Sequence, residues 1–228
     1  MSIFVTIYSV FITLSVYLIS RVVGRKYPSP FTTPVFFSTT IIILILLVSD
    51  VSFKEYTPAK EFMTYLLGPA TVALAIPLYK NRTTIIRYLI PAFSGMIVGI
   101  FASLFSILLL SSIFSLQEVI VKSLAVSTVT VPIAIEITKL IGGDPTLSTA
   151  FVVACGTLGS MMGPALLDYF KVHEPIARGL ALGTISHGQG TAQASLEGEL
   201  NGAIAGIAMG ITPVLVSFIL PAISKFIF

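Results

Sequence analysis

Apolar runs of membrane-crossing length alternate with short polar links along most of this chain. Residues 3–20 form the first run, and the basic link 21–30 follows it. Residues 34–48 form the second, with Pro34 in the first turn, where no amide donor is lost. Residues 50–61 read as a polar link of mixed charge. The third run, 62–79, is interrupted by Gly68-Pro69-Ala70-Thr71 and by Pro77, so it reads as a broken or kinked helix. No charge occurs from residue 88 to 117, and a fourth span is expected over 91–110. Residues 118–124 pattern as a short amphipathic helix. Residues 125–139 are apolar but carry Ser127, Thr128, Thr130, Pro132 and Glu136, and Gly142-Gly143-Asp144-Pro145 ends them sharply. Residues 146–167 are rich in small residues, which let helices approach closely in lipid. A polar link, 168–175, and an apolar run, 176–185, lead into residues 183–192. Glu197 and Glu199 follow, and 203–228 is the last span.

Composition decides the class. Mean hydropathy is +1.00, and only 10% of the residues are charged, against about 25% in an average soluble domain. The expected fold is an all-α multi-pass membrane protein in one domain, residues 1–228. It would have about seven to eight transmembrane segments, several of them discontinuous, with 1–60 peripheral and 61–228 as core. Net charge is +3, but no Lys/Arg stripe supports a nucleic-acid partner. The single Cys155 cannot form an internal disulfide. Arg21, Arg25 and Lys26 follow the first run, as expected of a retained span rather than a signal peptide. If the links 21–26 and 80–87 face the cytoplasm, the N-terminus lies outside. Thr71-Val72 aligns with Thr128-Val129 at an offset of 57, which also sets Gly99 on Gly156. This is either a duplicated broken helix, as in many transporters, or coincidence among small residues.

Residues 183–192 hold the sharpest chemistry. An interrupted backbone at membrane depth is tolerated only where protein buries it or it lines a watery cavity. His187 would there donate a hydrogen bond to an anion or carry a proton; alternatively it is neutral and fixes a bend through a backbone carbonyl. Gly188 and Gly190 would let amides turn toward a ligand, and Ser186, Gln189 and Thr191 would add uncharged donors. Ser127, Thr128, Thr130 and Pro132 mark a second break, unless the hydroxyls only bond back to their own helix. Pro69 and Thr71 mark a third. Glu136 is either a coupling carboxylate or sits at the cytoplasmic end beside Lys139. No metal spacing, Walker loop or hydrolase triad is present, so no catalytic role, cofactor or metal is expected.

The run Ser186-His187-Gly188-Gln189-Gly190-Thr191-Ala192 resembles the S-H-x-x-G-T-A signature of the LrgB/CidB family, with a polar Gln189 where an apolar residue is expected. The stretch from Pro69 to Lys80 is similar to that family's P-A-T-[IV]-A-x-A-x-P-L-Y-K. Gly142-Gly143 and the residues from Gly179 to Gly183 also fit. The resemblance implies a multi-pass protein of the bacterial cytoplasmic membrane acting with a small LrgA/CidA-like membrane partner, itself a homo-oligomer in the bilayer. It implies a distant fold relationship to cation/proton antiporters and bile-acid symporters. Two functions follow from it. One is secondary transport of small monocarboxylates such as pyruvate or glycolate; the other is holin- or antiholin-like control of murein hydrolase activity without a substrate.

Overall fold

The computed structural model describes residues 3–66, 69, 72–73 and 75–228. Helix is the only regular structure among the described residues. Four of those helices are long and apolar enough to cross a membrane. Their outward faces carry large apolar side chains such as Phe4, Phe11, Phe105 and Phe218, as expected of a protein solvated by lipid. The chain divides into two compact units, Met1–Ile76 and Pro77–Phe228. Thr71 and most of the Gly68–Thr71 break lie outside the described residues, and Pro69 is an exposed helical position.

In the first unit, α1 (Ile3–Lys26) packs against α2 (Pro34–Val48) and α3 (Phe53–Tyr65). A single 3-10 turn, Pro30–Thr32, joins α1 to α2. The expected polar link at 50–61 is mostly α3. Its charges hid a start signal: the Ser52 hydroxyl accepts from the Glu55 amide while the Glu55 carboxylate accepts from the Ser52 amide, which satisfies two orphan donors at once. Those same Ser52 donors hold the exposed Glu55 carboxyl below its ordinary range.

In the second unit, the short helices α4 (Ala75–Lys80) and α5 (Arg82–Arg87) precede α6 (Leu89–Ile113). Next come α7 (Glu118–Ala125), a non-helical stretch at 126–130, α8 (Val131–Ile141), α9 (Pro145–Tyr169), α10 (Pro175–Glu197) and α11 (Glu199–Ile227). α11 is the central element: 44% of its most apolar window is buried, against 22% for α6 and for α9.

α10 is two helices. His187 has φ 40° and ψ −124°, and the chain turns back there. The proof is at the ends: Arg178 Nε donates to Glu197 Oε2 at 2.7 Å across 19 residues. In a straight helix those residues would lie about 28 Å apart. The inward arm, 175–186, and the returning arm, 188–197, therefore lie side by side. A Cβ on Gly190 would overlap the Leu182 carbonyl of the other arm. α11 then runs back along the inward arm, with Gly179 against the Asn201 carbonyl and Gly183 against the Ala205 backbone. The expectation of a loosened backbone over 183–192 is corrected: one residue breaks the helix. Gly190 serves close packing, and Gly188 lies exposed.

The chain also reverses between 118 and 144. The Asp144 amide donates to Ser123 Oγ at 2.8 Å, so the residues after α8 return to the last turn of α7. Gly142, with φ 77°, ends α8, and Asp144 then caps α9 by accepting from the Thr146 and Leu147 amides.

Two stability outcomes follow. Gly183→Ala places a Cβ 2.7 Å from the Ala205 Cα and should destabilise by about 1–3 kcal/mol. Gly210→Ala meets nothing within 4 Å and should be neutral or stabilising by up to about 1 kcal/mol. Thermal unfolding in detergent compares them, and equal midpoints would contradict the close approach. At the turn, His187→Gly should exceed His187→Ala in stability by about 1–2 kcal/mol, because the φ strain falls only on a residue with a Cβ.

Candidate functional site

His187 sits at the tip of the α10 reversal, 7% exposed. Its Nε2 lies 3.2 Å from the Val152 carbonyl oxygen in α9. The ring fits because α9 carries Gly156 beneath it: a Cβ there would fall 2.6 Å from the ring Cε1. Ser186 fills the space beside Gly159, and Leu182 the space beside Gly163. The small-residue stripe predicted for 146–167 thus receives the inward arm. On its other side, α6 offers Gly95 to Leu180 and Gly99 to Thr184. Thr191 Oγ1 donates to the His187 carbonyl at 2.9 Å and lies 3.2 Å from that of Ala205, which ties the turn to α11.

The second break in the helices is the non-helical stretch 126–130. Ser127 and Thr128 are buried, and Val126 and Val129 are fully so. These two valines share one apolar cluster with Val152, whose carbonyl takes the His187 ring. Val152 thus belongs both to the His187 contact and to the cluster that holds these valines. Thr130 caps α8 without a side-chain hydrogen bond, and Pro132 lies in the first turn. That helix start leaves amides free and a positive dipole end aimed into the tip region, as the returning arm of α10 also does. The groups packed on the imidazole, from Val152, Gly156 and Gln189, carry no charge. Such an arrangement can hold a small anion through peptide dipoles and hydroxyls, with the imidazole as the one group able to take or give a proton.

The structure places the expected residues unevenly. Ser186, His187, Gly190 and Thr191 are buried together at one tip, with Gln189 half-buried beside Gly156; Ser127 and Thr128 are buried at the other. Pro132 is exposed. Glu136 is exposed too and pairs with Lys139 at 2.7 Å.

Several residues escaped the reading of the sequence. Arg178 joins Glu197 and Asp168 at the mouth of the α10 reversal, at 2.7 and 2.6 Å. Thr184 and Gln193 are buried, each with a side-chain oxygen that has no partner among the described residues. The available signal was an arginine immediately before the Gly179 run, with carboxylates at both ends of one apolar segment.

Comparison with known proteins agrees with this layout. A family profile described as the LrgB-like family matches residues 13–226. The protein YxaC of Bacillus subtilis is 32% identical over 219 residues, covering 96% of this chain and 95% of that protein. The holin-like protein CidB of Staphylococcus epidermidis is 31% identical, and that of Staphylococcus aureus 30%; each alignment covers 94% of this chain and 93% of the relative. No solved structure matches. A signature gathered at one buried turn and a match over nearly the whole length make this chain a member of the LrgB-like family of membrane proteins.

Proposed function

We propose that the chain is a secondary transporter of small monocarboxylates of the pyruvate or glycolate kind. It works without catalysis or cofactor in the bacterial cytoplasmic membrane, beside a small LrgA/CidA-like partner. The observation that carries this reading is that two chain reversals border one apolar cluster containing Val152, whose carbonyl takes the His187 ring. One opens at the end where α9 finishes, through Arg178 and Asp168. The other opens where α9 starts, through Ser123 and Asp144. Two chain reversals thus stand at opposite ends of α9.

An inverted repeat accounts for this. α6 runs parallel to the inward arm of α10, since Gly95 and Gly99 meet Leu180 and Thr184; α9 runs antiparallel to it, since Gly156, Gly159 and Gly163 meet His187, Ser186 and Leu182. A span followed by a hairpin therefore occurs twice, in opposite senses. The offset of 57 that sets Gly99 on Gly156 also sets Thr130 on His187 (187 − 57 = 130). Paired broken elements of this kind hold substrate between them in alternating-access carriers. With α1, α2, α6, α9 and α11 as crossings, the hairpins bring the membrane segments among the described residues to seven. Lys80, Arg82, Arg87 and Lys171 lie at the mouth of the α10 hairpin, so the positive-inside rule makes that face cytoplasmic. Glu136 and Lys139 then lie at the outer face.

The second reading is the holin-like role without a substrate, which the names of the Staphylococcus relatives favour. Uptake of labelled pyruvate and glycolate into proteoliposomes, with and without the partner, separates the two. In a carrier, His187→Ala and Thr128→Ala should each cut saturable uptake at least about tenfold, the loss of one buried hydrogen bond to a charged group, while insertion stays normal. Absence of saturable flux in every condition would leave only the holin-like role. Topology is checked in a Cys155→Ala background. Gln117→Cys and Leu140→Cys should both label from outside, and His173→Cys and Glu199→Cys only after permeabilisation. Opposite sidedness within either pair would remove the hairpins.

A further inference from the structure

One face of the returning arm of α10 carries a row of oxygen acceptors. Gln189, Gln193 and Glu197 follow at four-residue spacing, which stacks their side chains along one side of the helix. In all three the Oε1 atom is buried and has no hydrogen-bond partner among the described residues. Gln193 as a whole is only 9% exposed. Native proteins keep such atoms rare, because a buried acceptor without a donor is costly. Three in succession on one face call for a common ligand.

The ion pairs that Glu197 itself shares indicate that ligand's sign. Arg178 donates to Glu197 Oε2, to Asp168 Oδ1 and to the Val172 carbonyl, and Asn201 Nδ2 donates to Glu197 Oε2 at 3.3 Å. Two carboxylates thus share one guanidinium, leaving a net charge of −1 on the cluster. The nearby Glu199 pairs with Lys80 at 3.7 Å and adds nothing to the balance. The second oxygen of Glu197 has no partner among the described residues, and the two glutamines follow at one and two turns along the same arm. At the far end stands His187, where the carbonyl end of the inward arm meets the amide end of the returning arm.

Carboxylate and amide oxygens suit hard metal cations. Neutral amides bind a metal cation through oxygen, whereas they do not hold a proton near neutral pH. We propose that Gln189, Gln193 and Glu197 form a binding track for a monovalent metal cation, entering at Glu197 from the mouth of the hairpin and moving toward the His187 turn. Only the purpose of the cation, coupling to substrate movement, rests on the transporter reading; its binding does not. Glu136, at the opposite end of α9 and paired to Lys139, has no part in it.

The test uses the full chain in lipid nanodiscs, with NaCl, KCl or choline chloride at equal ionic strength. Sodium or potassium should raise the thermal unfolding midpoint of the wild type over choline by roughly 5 °C, and radioactive sodium should bind saturably if sodium is the ion. Gln193→Leu replaces an unpaired polar group by an apolar one of similar size. It should fold at least as well in choline and lose the cation-dependent shift. Gln193→Glu should keep the shift and reach half-saturation at a lower cation concentration. A wild type indifferent to both cations, or Gln193→Leu responding like wild type, would overturn the proposal. Cation binding without monocarboxylate flux would remove the transporter and leave the track. Flux with no cation response would do the reverse.

Discussion

A chain that turns round inside lipid must bring partners for the turn with it, and the reversal at His187 meets that constraint with its own neighbours. The residue at the apex takes a φ of 40°, which costs free energy for any side chain bearing a Cβ. Three contacts offset the cost. The imidazole reaches the Val152 carbonyl, Thr191 takes up the apex carbonyl, and Arg178 ties the two arms together at the mouth. The arms can lie close because Gly190 has no Cβ to strike the opposite carbonyl. Removing the apex contact would leave the turn strained and unpartnered at once, so the same imidazole is a structural tie and the candidate ligand group. These roles are compatible: a ring held by one nitrogen against a carbonyl presents the other in a fixed direction.

The helices that were easy to place share one property: a single environment along their length. α2 runs over 34–48 as expected, because a proline opens it and every following residue is compatible with lipid. α3 was hidden because its charges outweighed the Ser52–Glu55 capping pair; periodicity over 13 residues with four charges and one proline says little, whereas the cap is local and specific. The glycines of 183–192 misled in the opposite way. In a soluble loop such density marks a flexible turn. In lipid it marks backbone against backbone, and only the contact partners, Leu182 and Ala205 among them, distinguish the two.

The fold-back itself was out of reach of periodicity. Each arm of α10 obeys helical spacing, so a window sliding across His187 sees one helix of 23 residues. The information lay in pairing instead. Arg178 near one end and Glu197 at the other are poor neighbours for a membrane helix taken singly, since each is expensive to bury. Together they are tolerable only if the chain brings them into contact. Charges bracketing a glycine-rich apolar segment at a separation of about 20 residues are thus a sign of a hairpin rather than of a span.

This economy of charge also shapes the candidate site. The ionised groups of the second unit stand at its two ends, in the Arg178 cluster at one and the Glu118–Lys122 and Glu136–Lys139 pairs at the other. What reaches the interior is dipole: helix starts at Val131 and after His187, buried hydroxyls at Ser127 and Thr128, and one imidazole. A fixed ammonium or guanidinium inside would hold an anion strongly in low dielectric and oppose its release. Peptide dipoles hold a single negative charge more weakly, and they gain or lose strength as two hairpins shift against each other. A carrier needs binding of that moderate kind, because it must give up at one face what it accepted at the other.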